Sequence, residues 1–496
     1  MRTSGVLMHL SSLPSPYGIG TMGKEAYRFV DFLEKAEQTY WQMLPVGPTS
    51  YGDSPYQSFS GYAGNPYFID LDLLVKDGLL KKEEILRYPW GNDPEAVDYG
   101  ILYQNRFQVL KIACDRLAKK QPQALAAFGR KQKAWLDDYA LFMAEKDAHH
   151  GKSWMEWEKP LKFREEKALK AARKQYAEEI AFYKAIQFLF FAQWEKLKAY
   201  ANSKGIKIIG DVPIYVAADS ADVWTEPELF MLDEKLAMTK VAGCPPDAFS
   251  ATGQFWGNPL YRWDVMKKQD YDWWIRRVQG LSKRYDTVRI DHFRAFDSFY
   301  AIPGKAKTAK NGKWMKGPGI ELFHVLEKKL GKLNIIVEDL GYLTPSVMQL
   351  VKDSGFPGMK VLQFAFDTRE DGDYLPHNYP SYCVVYTGTH DNDTINGWMK
   401  SAPKESVKNA KEYLNLTKEE GYHWGMMRGA WSSVGDTVIV TMQDLLGLGG
   451  EARMNVPSTL GTNWKWRAKE GSCNAALAKK IAKQMQLFGR KRSSGT

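Results

Sequence analysis

The stretch Tyr285-Asp-Thr-Val-Arg-Ile-Asp291 decides the fold, because it is an apolar, β-branched run that ends in a carboxylate. Two later runs have the same form, Asn334-Ile-Ile-Val-Glu338 and Cys383-Val-Val-Tyr-Thr-Gly-Thr-His-Asp391. Continuous apolar runs are typical of strands that are buried on both faces of a sheet. In a parallel α/β barrel, the C-terminal ends of the strands carry the active site. We therefore predict that the three terminal carboxylates form a catalytic set.

Strand and helix patterns alternate along the rest of the chain. Strand candidates lie at residues 5–10, 41–46, 206–216, 287–291, 335–339, 359–366, 383–386 and 438–442. Helical patterns lie between most of them, for example at 23–37, 320–330 and 344–354. Alternating strands and helices imply a parallel sheet. Eight such units predict an α/β fold, a (β/α)8 TIM barrel.

Two connections between the predicted strands are too long for simple crossovers. Residues 73–203, between strands two and three, are rich in Ala, Lys, Glu and Leu at helical spacing. They predict a mainly helical inserted subdomain, because structureless loops of that length are uncommon in compact domains. Residues 217–285, between strands three and four, contain a Gly/Pro-rich stretch and then a short amphipathic helix near 273–283. We expect a loop-rich insertion over the active site, within one catalytic unit spanning residues 1–496.

The composition is that of an ordinary globular chain of 496 residues, with 44% hydrophobic and 25% charged residues. A formal net charge of +10 is also found in proteins that bind nucleic acid or membranes. Many lysines, however, alternate with acidic residues, which is typical of a solvated helix face. The four cysteines are far apart, and no run approaches the roughly 20 apolar residues of a membrane span. These features predict a cytoplasmic protein without disulfides or structural zinc.

The residue types at the strand ends suit acid–base chemistry. Arg289 and Asp291 are two apart, so on a strand both side chains point the same way. The cation lowers the pKa of the carboxyl and favours the ionised form that a nucleophile needs, although a purely structural Arg–Asp pair gives the same pattern. Apolar surroundings raise the pKa of Glu338, and a protonated Glu can act as a general acid, as in glycosidase-type sites. Asp339 competes for that role, but strand alternation lets only one of the two face the mouth, and we favour Glu338.

The sequence His390-Asp-Asn-Asp393 follows the seventh strand candidate. His390 can donate to a sugar hydroxyl, and Asp391 can hold two hydroxyls through its two oxygens. A loop histidine that is satisfied by backbone groups is the alternative for His390. Several acidic residues near one mouth can also bind a divalent cation, but their spacing is not that of a calcium loop. We therefore predict no metal.

Two loops, at residues 51–66 and 243–261, are dense in Gly, Pro and aromatic residues. Loops on a rigid scaffold commonly carry binding residues, although each segment is also compatible with a structural Ω-loop. The side chains that they present for binding are Tyr56, Asp247, Phe249, Gln254 and Trp256.

Six motifs occur in a fixed order along the chain. They are Gly52-Asp-Ser-Pro-Tyr-Gln57, Gly210-Asp-Val-Pro-Ile-Tyr215, Pro245-Pro-Asp247 with Trp256-Gly-Asn-Pro259, Arg289-Ile-Asp-His-Phe-Arg294, Val337-Glu-Asp-Leu-Gly341 and Thr389-His-Asp-Asn392. With these motifs, the chain resembles the 4-α-glucanotransferases of glycoside hydrolase family 77 over nearly its whole length. The resemblance implies an α-amylase-like barrel that cleaves an α-1,4-glucan and passes the donor piece to the 4-hydroxyl of an acceptor sugar. It implies no organic cofactor and no catalytic metal.

The resemblance also implies residue roles. Asp291 corresponds to the nucleophile, Glu338 to the acid/base and Asp391 to the transition-state stabiliser. The predicted substrate-site residues and their neighbours are Ser54, Tyr56, Asp211, Asp247, Phe249, Gln254, Trp256, Arg289, His292, His390 and Asn463. The chain departs from the usual pattern at Ala248, where a Tyr is common, and at Cys244, where an aliphatic residue is common. These two departures bear on which acceptor length the enzyme prefers and on whether it forms cyclic glucans.

Other functions compete with this prediction. The nearest alternative is an α-1,4-glucan hydrolase on the same scaffold. A catalytically silent glucan-binding protein does not explain why acid, base and stabiliser candidates are all present, and a nucleic-acid binder leaves the acidic strand ends unexplained. We expect α-1,4-glucans, maltooligosaccharides and acceptor glucose as partners, without nucleic acid or membrane.

Overall fold

A barrel of parallel strands forms the centre of the molecule. The computed structural model describes residues 2–50, 52–246, 251–341, 343–367 and 372–492. In these ranges, eight parallel strands form one sheet: β1 Thr3–Leu7, β2 Tyr40–Met43, β3 Lys207–Pro213, β4 Thr287–Asp291, β5 Ile335–Val337, β6 Gly358–Val361, β7 Cys383–Tyr386 and β8 Thr437–Thr441. The strands pair in cyclic chain order. The Val337 N–H donates to the Pro357 carbonyl at 3.0 Å and brings β5 to the start of β6. The predicted (β/α)8 barrel is confirmed.

The strand register sets which side chains meet inside the barrel. Asp211 on β3 lies opposite Arg289 on β4. Residues that lie opposite each other in neighbouring strands point to the same face, so both side chains enter the barrel. Across the interior, the Tyr386 hydroxyl on β7 donates to the Gln42 side chain on β2 at 2.8 Å. Polar side chains from β2, β3, β4 and β7 therefore lie inside the barrel.

Several strands are shorter than the sequence predicted. The candidate at 359–366 ends as a strand at Val361, and Leu362–Phe366 is a 3-10 helix. The candidate at 206–216 ends at Pro213, which has no N–H to extend the ladder. An apolar run indicates that a segment is buried, but it does not indicate at which residue the strand ends and the loop at the barrel mouth begins. The predicted ends were therefore too late.

Helices cover the outside of the barrel. They span Lys24–Lys35, Ile320–Leu330, Pro345–Ser354, Ile395–Ser401, Lys404–Leu414, Tyr422–Ser432, Met442–Leu445 and Ala475–Leu487. Shorter 3-10 helices are Leu10–Ser12, Pro66–Phe68, Trp154–Glu156, Pro227–Leu229, Phe293–Phe296, Pro376–Asn378 and Gly450–Ala452. Pro345–Ser354 illustrates the local signals, since Thr344 accepts the Val347 N–H at its start and Gly355 (φ +66°) ends it.

Further helices lie between β2 and β3. They span Leu71–Lys76, Lys82–Leu86, Tyr99–Lys120, Pro122–Lys131, Lys133–Ala148, Lys159–Lys162, Glu166–Gln175 and Ala177–Ser203. Two buried glutamines on Ala177–Ser203 hold the preceding loop. Gln187 bonds both backbone groups of Gly64, and Gln193 bonds both backbone groups of Asp70. The division of the chain at residues 73 and 203 stays a prediction. Within the described ranges, no helix combines the length and the apolar character that crossing a membrane requires.

A second sheet was missed in the sequence. Between β3 and β4 the chain forms helices Ala221–Thr225, Trp263–Lys268 and Asp272–Arg284, and also strands Lys240–Cys244 and Gln254–Pro259. These two strands pair antiparallel with each other, and Lys240–Cys244 also pairs with Ser298–Pro303, which in turn pairs with Lys313–Lys316. The strands are short and contain Gly and Pro, and two of them lie beyond β4. The local pattern therefore suggested loops in place of these strands, whereas the helix predicted near 273–283 is confirmed as Asp272–Arg284.

Candidate active site

A cleft of about 380 Å³ opens at the C-terminal mouth of the barrel. This volume lies in the range of small-ligand sites, roughly 300–1,000 Å³. Several of the predicted site residues line the cleft together: Ser54, Tyr56, Gln254, Trp256, Asp291, His292, His390, Asp391 and Asn463. Three more, Asp211, Arg289 and Glu338, lie directly behind them and are described next.

Arg289 ties two carboxylates together below the cleft. Its side chain is 3% exposed, and its Nη1 donates to both oxygens of Asp211 at 2.7 and 2.6 Å. The same nitrogen lies 3.1 Å from Asp291 Oδ1. Asp211 is fully buried and also accepts the Tyr56 hydroxyl at 2.9 Å. Charge-assisted hydrogen bonds of this kind fix geometry strongly, so Asp291 stands on a rigid base.

The protonation of Asp291 differs from the sequence-based expectation. Burial raises the pKa of its carboxyl well above the usual value, Arg289 opposes this, and the negative charges of Glu338 and Asp211 add to the rise. Arg289 lowers the pKa as the sequence predicted, but the net direction is upward because burial outweighs that cation. Arg289 also divides its contacts, since two of its three carboxylate contacts go to Asp211.

Glu338 immediately follows β5 and turns toward the end of β4. Its Oε2 accepts the His292 N–H at 2.7 Å and its Oε1 accepts the Leu340 N–H at 3.0 Å. Burial raises the pKa of the Glu338 carboxyl, and these two N–H groups and Arg289 oppose the rise. Asp339 turns away from the cleft and accepts the Met359 N–H at the start of β6 at 2.7 Å. Of the two competing residues, Glu338 is thus the one beside Asp291.

His292 makes a sharp turn out of β4. Its backbone is left-handed, at φ 55° and ψ 47°, a conformation that costs about 1–2 kcal/mol for a residue with a Cβ. The turn brings the imidazole edge-on to the Trp256 ring, with the centroids 4.7 Å apart. Burial lowers the pKa of His292 to about 3, so the ring is neutral at pH 7. Trp256 Nε1 in turn donates to Gln254 at 3.1 Å.

Asp391 enters the cleft from the opposite side, on the loop that follows β7. Its Oδ1 accepts the Asn455 amide N–H at 2.6 Å, and the Arg453 guanidinium donates to its backbone carbonyl. The side chain remains 45% exposed. Neighbouring His390 stacks on Tyr56, with the centroids 5.0 Å apart and the rings inclined by 19°. Burial lowers the pKa of His390, which is therefore a neutral ring packed among cleft side chains.

The sequence matches the model of glycoside hydrolase family 77, described as 4-alpha-glucanotransferase, over residues 8–473. The chain belongs to this family. The 4-alpha-glucanotransferase of Clostridium butyricum is 51% identical over 485 residues, which cover 97% of this chain and 100% of the relative. That of Thermus thermophilus is 48% identical over 481 residues, 95% of each chain. An amylomaltase from Streptococcus agalactiae, solved in complex with acarbose, aligns with a TM-score of 0.97 at 44% identity over 99% of this chain and 100% of that one.

Membership of the 4-alpha-glucanotransferase family confirms the resemblance drawn from the six motifs and makes the protein an enzyme of that class. The described residues contain no group of three or more His, Cys, Asp or Glu side chains arranged to hold a metal ion. Two predicted residues of the family 77 site, Asp247 and Phe249, and the departure at Ala248 lie outside the described residues. Cys244, the second departure, ends the strand Lys240–Cys244.

Two of the predicted site residues, Asn463 and Ser54, make hydrogen bonds that shape the family 77 cleft. The Asn463 side chain accepts the Val456 N–H and donates to the Thr459 carbonyl, both at 3.0 Å, so its amide holds the turn that rims the cleft. The Ser54 hydroxyl accepts the Tyr56 N–H at 3.3 Å and orients that ring. Both residues act on the shape of the cleft.

Sequence reasoning assigned no role to three residues of this site. Asn455 and Arg453 position Asp391, and Trp464 lies 5.9 Å from both Tyr56 and His390. These residues lie in two segments that follow β8, Arg453-Met-Asn-Val-Pro457 and Asn463-Trp-Lys-Trp-Arg467. Their position after the last strand is a signal that could have placed them at the mouth.

Proposed function

We propose that this enzyme transfers a segment of an α-1,4-glucan to the 4-hydroxyl of an acceptor glucose or maltooligosaccharide by a retaining double displacement. One observation carries the proposal: Glu338 accepts the backbone N–H of the residue that follows Asp291, so two carboxyl groups with raised pKa values stand side by side. Two carboxyls that interact this closely titrate as a pair. The pair can hold one proton between an acid and a nucleophile, as retaining glycoside chemistry requires.

In the first step, ionised Asp291 attacks the anomeric carbon of the donor sugar. Glu338 gives its proton to the glycosidic oxygen, the bond to the leaving glucan breaks, and a covalent glucosyl–Asp291 ester forms. Arg289 supports the ionised form of Asp291 through its 3.1 Å contact. Burial raises the pKa of Glu338 and so favours the protonated form that a general acid needs.

In the second step, Glu338 is ionised, and the His292 and Leu340 N–H groups stabilise its charge. It removes the proton of the acceptor 4-hydroxyl, whose oxygen attacks the anomeric carbon and releases Asp291. Two inversions restore the α configuration. Asp391, oriented by Asn455, holds sugar hydroxyls and stabilises the positive charge that develops on the ring in both transition states.

The choice between sugar and water in the second step separates a transferase from a hydrolase. Trp256 lies on the cleft wall beside His292 and offers an aromatic face for the acceptor, and we propose that Phe249 adds a second one. A stacked acceptor is held near the ester in place of water. Such positioning can supply several kcal/mol of the barrier, which favours transfer.

Incubation with maltotriose tests this function. A 4-α-glucanotransferase yields glucose together with a ladder of longer maltooligosaccharides, whereas the hydrolase alternative yields only shorter sugars. A glucan-binding protein without catalytic activity leaves the maltotriose unchanged. Asp291→Asn serves as the control, and a chelator should leave the ladder intact, because the proposed steps use only side chains and sugars. Shorter products alone would overturn the proposal.

The proposal includes a cytoplasmic location. Cys114, Cys383 and Cys473 remain thiols, which fits a reducing compartment. Cell fractionation with the activity as marker tests this part separately.

A further inference from the structure

A concentration of positive charge lies beside the cleft, on the second sheet. Residues 298–320 contain five lysines and no acidic residue, a local charge of +5 in a chain whose total is +10. All five lysines, Lys305, Lys307, Lys310, Lys313 and Lys316, are exposed. The flanking acids are engaged elsewhere, since Asp297 accepts from Ser298 and Ser346 and Glu321 pairs with Lys267 at 2.6 Å. We refer to Lys305, Lys307, Lys310, Lys316 and Trp314 as the lysine face, since Lys313 precedes Trp314 on a strand and points to the other side of the sheet.

The lysine face is joined directly to the cleft. The Ala309 N–H, between Lys307 and Lys310, donates to the Thr252 carbonyl at 3.0 Å. Thr252 lies two residues before the strand Gln254–Pro259, whose first residues line the cleft. The segment that carries Lys307 and Lys310 is therefore bonded to the segment that leads into a cleft-lining strand.

The loop that carries the lysines is held in place by its own small core. The Tyr300 hydroxyl donates to the Ala309 carbonyl at 2.9 Å, and the Ala309 methyl group is fully buried with Val241 and Ile302. A Cβ at Gly312 would lie 2.3 Å from the Tyr300 ring, so the turn presses against that ring. The lysines are thus presented from a fixed backbone, which lowers the entropic cost of binding.

An aromatic row accompanies the lysines. In the sheet register, Phe255 lies opposite Gly243, Gly243 opposite Tyr300, and Tyr300 opposite Trp314, so all four share one face. Phe255 is 41% and Trp314 43% exposed. The Arg294 guanidinium lies 4.0 Å from the Trp314 ring centroid and supports one side of it. Exposed rings at both ends of the row offer flat apolar surfaces of the kind that sugar faces cover.

We propose that the lysine face binds α-glucan chains that carry phosphate monoesters, with lysines on the phosphate and Trp314 on a glucose ring. This deepens the proposed function, on which it rests, by naming a class of substrate. A phosphate monoester carries between one and two negative charges at pH 7, and lysine is a suitable partner for it as a point charge. Nucleic acid and anionic membranes are also polyanions, but the continuity with the cleft and the exposed tryptophan favour a sugar chain.

Binding of matched dextrins tests the proposal. A maltodextrin phosphorylated on its glucose units is compared by calorimetry with the same preparation after phosphatase treatment, at low ionic strength, on the full-length protein carrying Asp291→Asn to prevent turnover. We expect the phosphorylated dextrin to bind about tenfold more tightly. Lys307→Glu/Lys310→Glu/Lys316→Glu should remove this preference, and Trp314→Ala should weaken both dextrins by the same factor.

The helix Glu166–Gln175 supplies a matched control. Lys167→Glu/Lys170→Glu/Lys174→Glu makes the same change of charge at exposed positions and should keep the preference for the phosphorylated dextrin. Equal affinity of the Asp291→Asn protein for the two dextrins would overturn the proposal, and so would an equal loss in the control. Tighter lysine-dependent binding of duplex DNA or of anionic vesicles would also overturn it, in favour of another partner class.

Failure of this inference can be told apart from failure of the proposed function. The maltotriose ladder is neutral and should appear with the lysine variants as it does with the unaltered protein. A normal ladder without a phosphate preference rejects the lysine face only. A phosphate preference without a ladder rejects the transferase proposal and leaves the binding surface in place.

Discussion

On the strand side of the cleft, Arg289 is 3% exposed and joins Asp291 to the fully buried Asp211, whereas on the loop side Leu460 is 79% exposed. Glu338 is fixed by backbone N–H groups at the ends of strands. Asp391, across the cleft, is fixed by one amide from a loop and is 45% exposed.

The difference indicates that the strand side and the loop side of the cleft have different roles in the reaction. Bond making and breaking requires groups that are held within a fraction of an ångström, and the strand register of a barrel supplies this rigidity. Acceptors of different length require a rim that can be reshaped, and loops tolerate such change. The comparison predicts that substitutions that disturb one of the three carboxylates change kcat, and that substitutions of rim residues that hold no carboxylate change KM.

The largest effect is expected for Asp291→Asn, which removes the attacking oxygen while keeping the shape of the side chain. Transfer should fall by about 10⁴-fold or more, as for other removed nucleophiles, while glucan binding stays within a few-fold. Disproportionation of maltotriose and calorimetric binding measure the two separately. A rate near that of the unaltered enzyme would show that Asp291 is not the nucleophile.

Arg289→Gln tests whether Arg289 holds Asp291 and Asp211 in place on the strand side of the cleft. Arg289 opposes the burial that raises the pKa of Asp291, so its loss raises that pKa further and moves the acidic limb of the pH–kcat profile to higher pH. Leaving Asp211 buried without its cation should also lower the free energy of unfolding by about 3–5 kcal/mol.

Arg289→Lys keeps the positive charge and serves as the control, with a smaller shift of the acidic limb. Urea titration and pH-dependent rates are the measurements. A limb that moves to lower pH in Arg289→Gln would contradict the placement of Arg289 beside Asp291.

Asn455→Ala tests the loop side, because it removes the side-chain amide that donates to Asp391 at 2.6 Å. A hydrogen bond to a charged group contributes about 1.5–3 kcal/mol, and the partial exposure of Asp391 favours the lower end. We expect kcat to fall about tenfold with little change in thermal stability.

Asn463→Ala is the matched comparison, because its amide holds the rim turn and not Asp391. It should raise KM for long donors and leave kcat for maltotriose nearly unchanged. Identical effects of the two variants on kcat would argue against a special role for Asn455.

The smallest effect is expected for Leu460→Ala at the exposed rim. Leu460 lines the cleft and faces Gly52, where an added Cβ would lie 3.6 Å from its Cδ2. Since most of the side chain is already in water, its loss should change KM for a long α-glucan by about twofold. Steady-state kinetics with maltotriose and with a long dextrin measure this, and a large fall in kcat would remove the distinction between the two sides.

Much of the barrel could be predicted because its signals are local. Each strand candidate is an apolar run, and the helix at 320–330 was placed with the bounds that the structure has. The antiparallel sheet could not, because Lys240–Cys244 and Ser298–Pro303 acquire their strand form only by pairing over some sixty residues of chain. Pairing partners far apart in sequence leave little mark on either segment.

The protonation of the site was predicted only in part. The rise of the Glu338 pKa follows from burial, which an apolar run reveals. The net direction for Asp291 was wrong, because burial outweighs the lowering by Arg289 that the sequence predicted, and the charges of Glu338 and Asp211 add to the rise. Burial and the distances among these charges are set by the tertiary structure.

The sequence by itself determined the strand-and-helix order, the family and the identity of the carboxylates at the strand ends, because hydrophobic period and residue type are written along the chain. Only the tertiary structure decided that Glu338 and not Asp339 turns to the cleft, that Arg289 serves two carboxylates, and that Asn455 orients Asp391. Each of these depends on contacts across strands and loops, and electrostatic and hydrogen-bond energies act through space at short range.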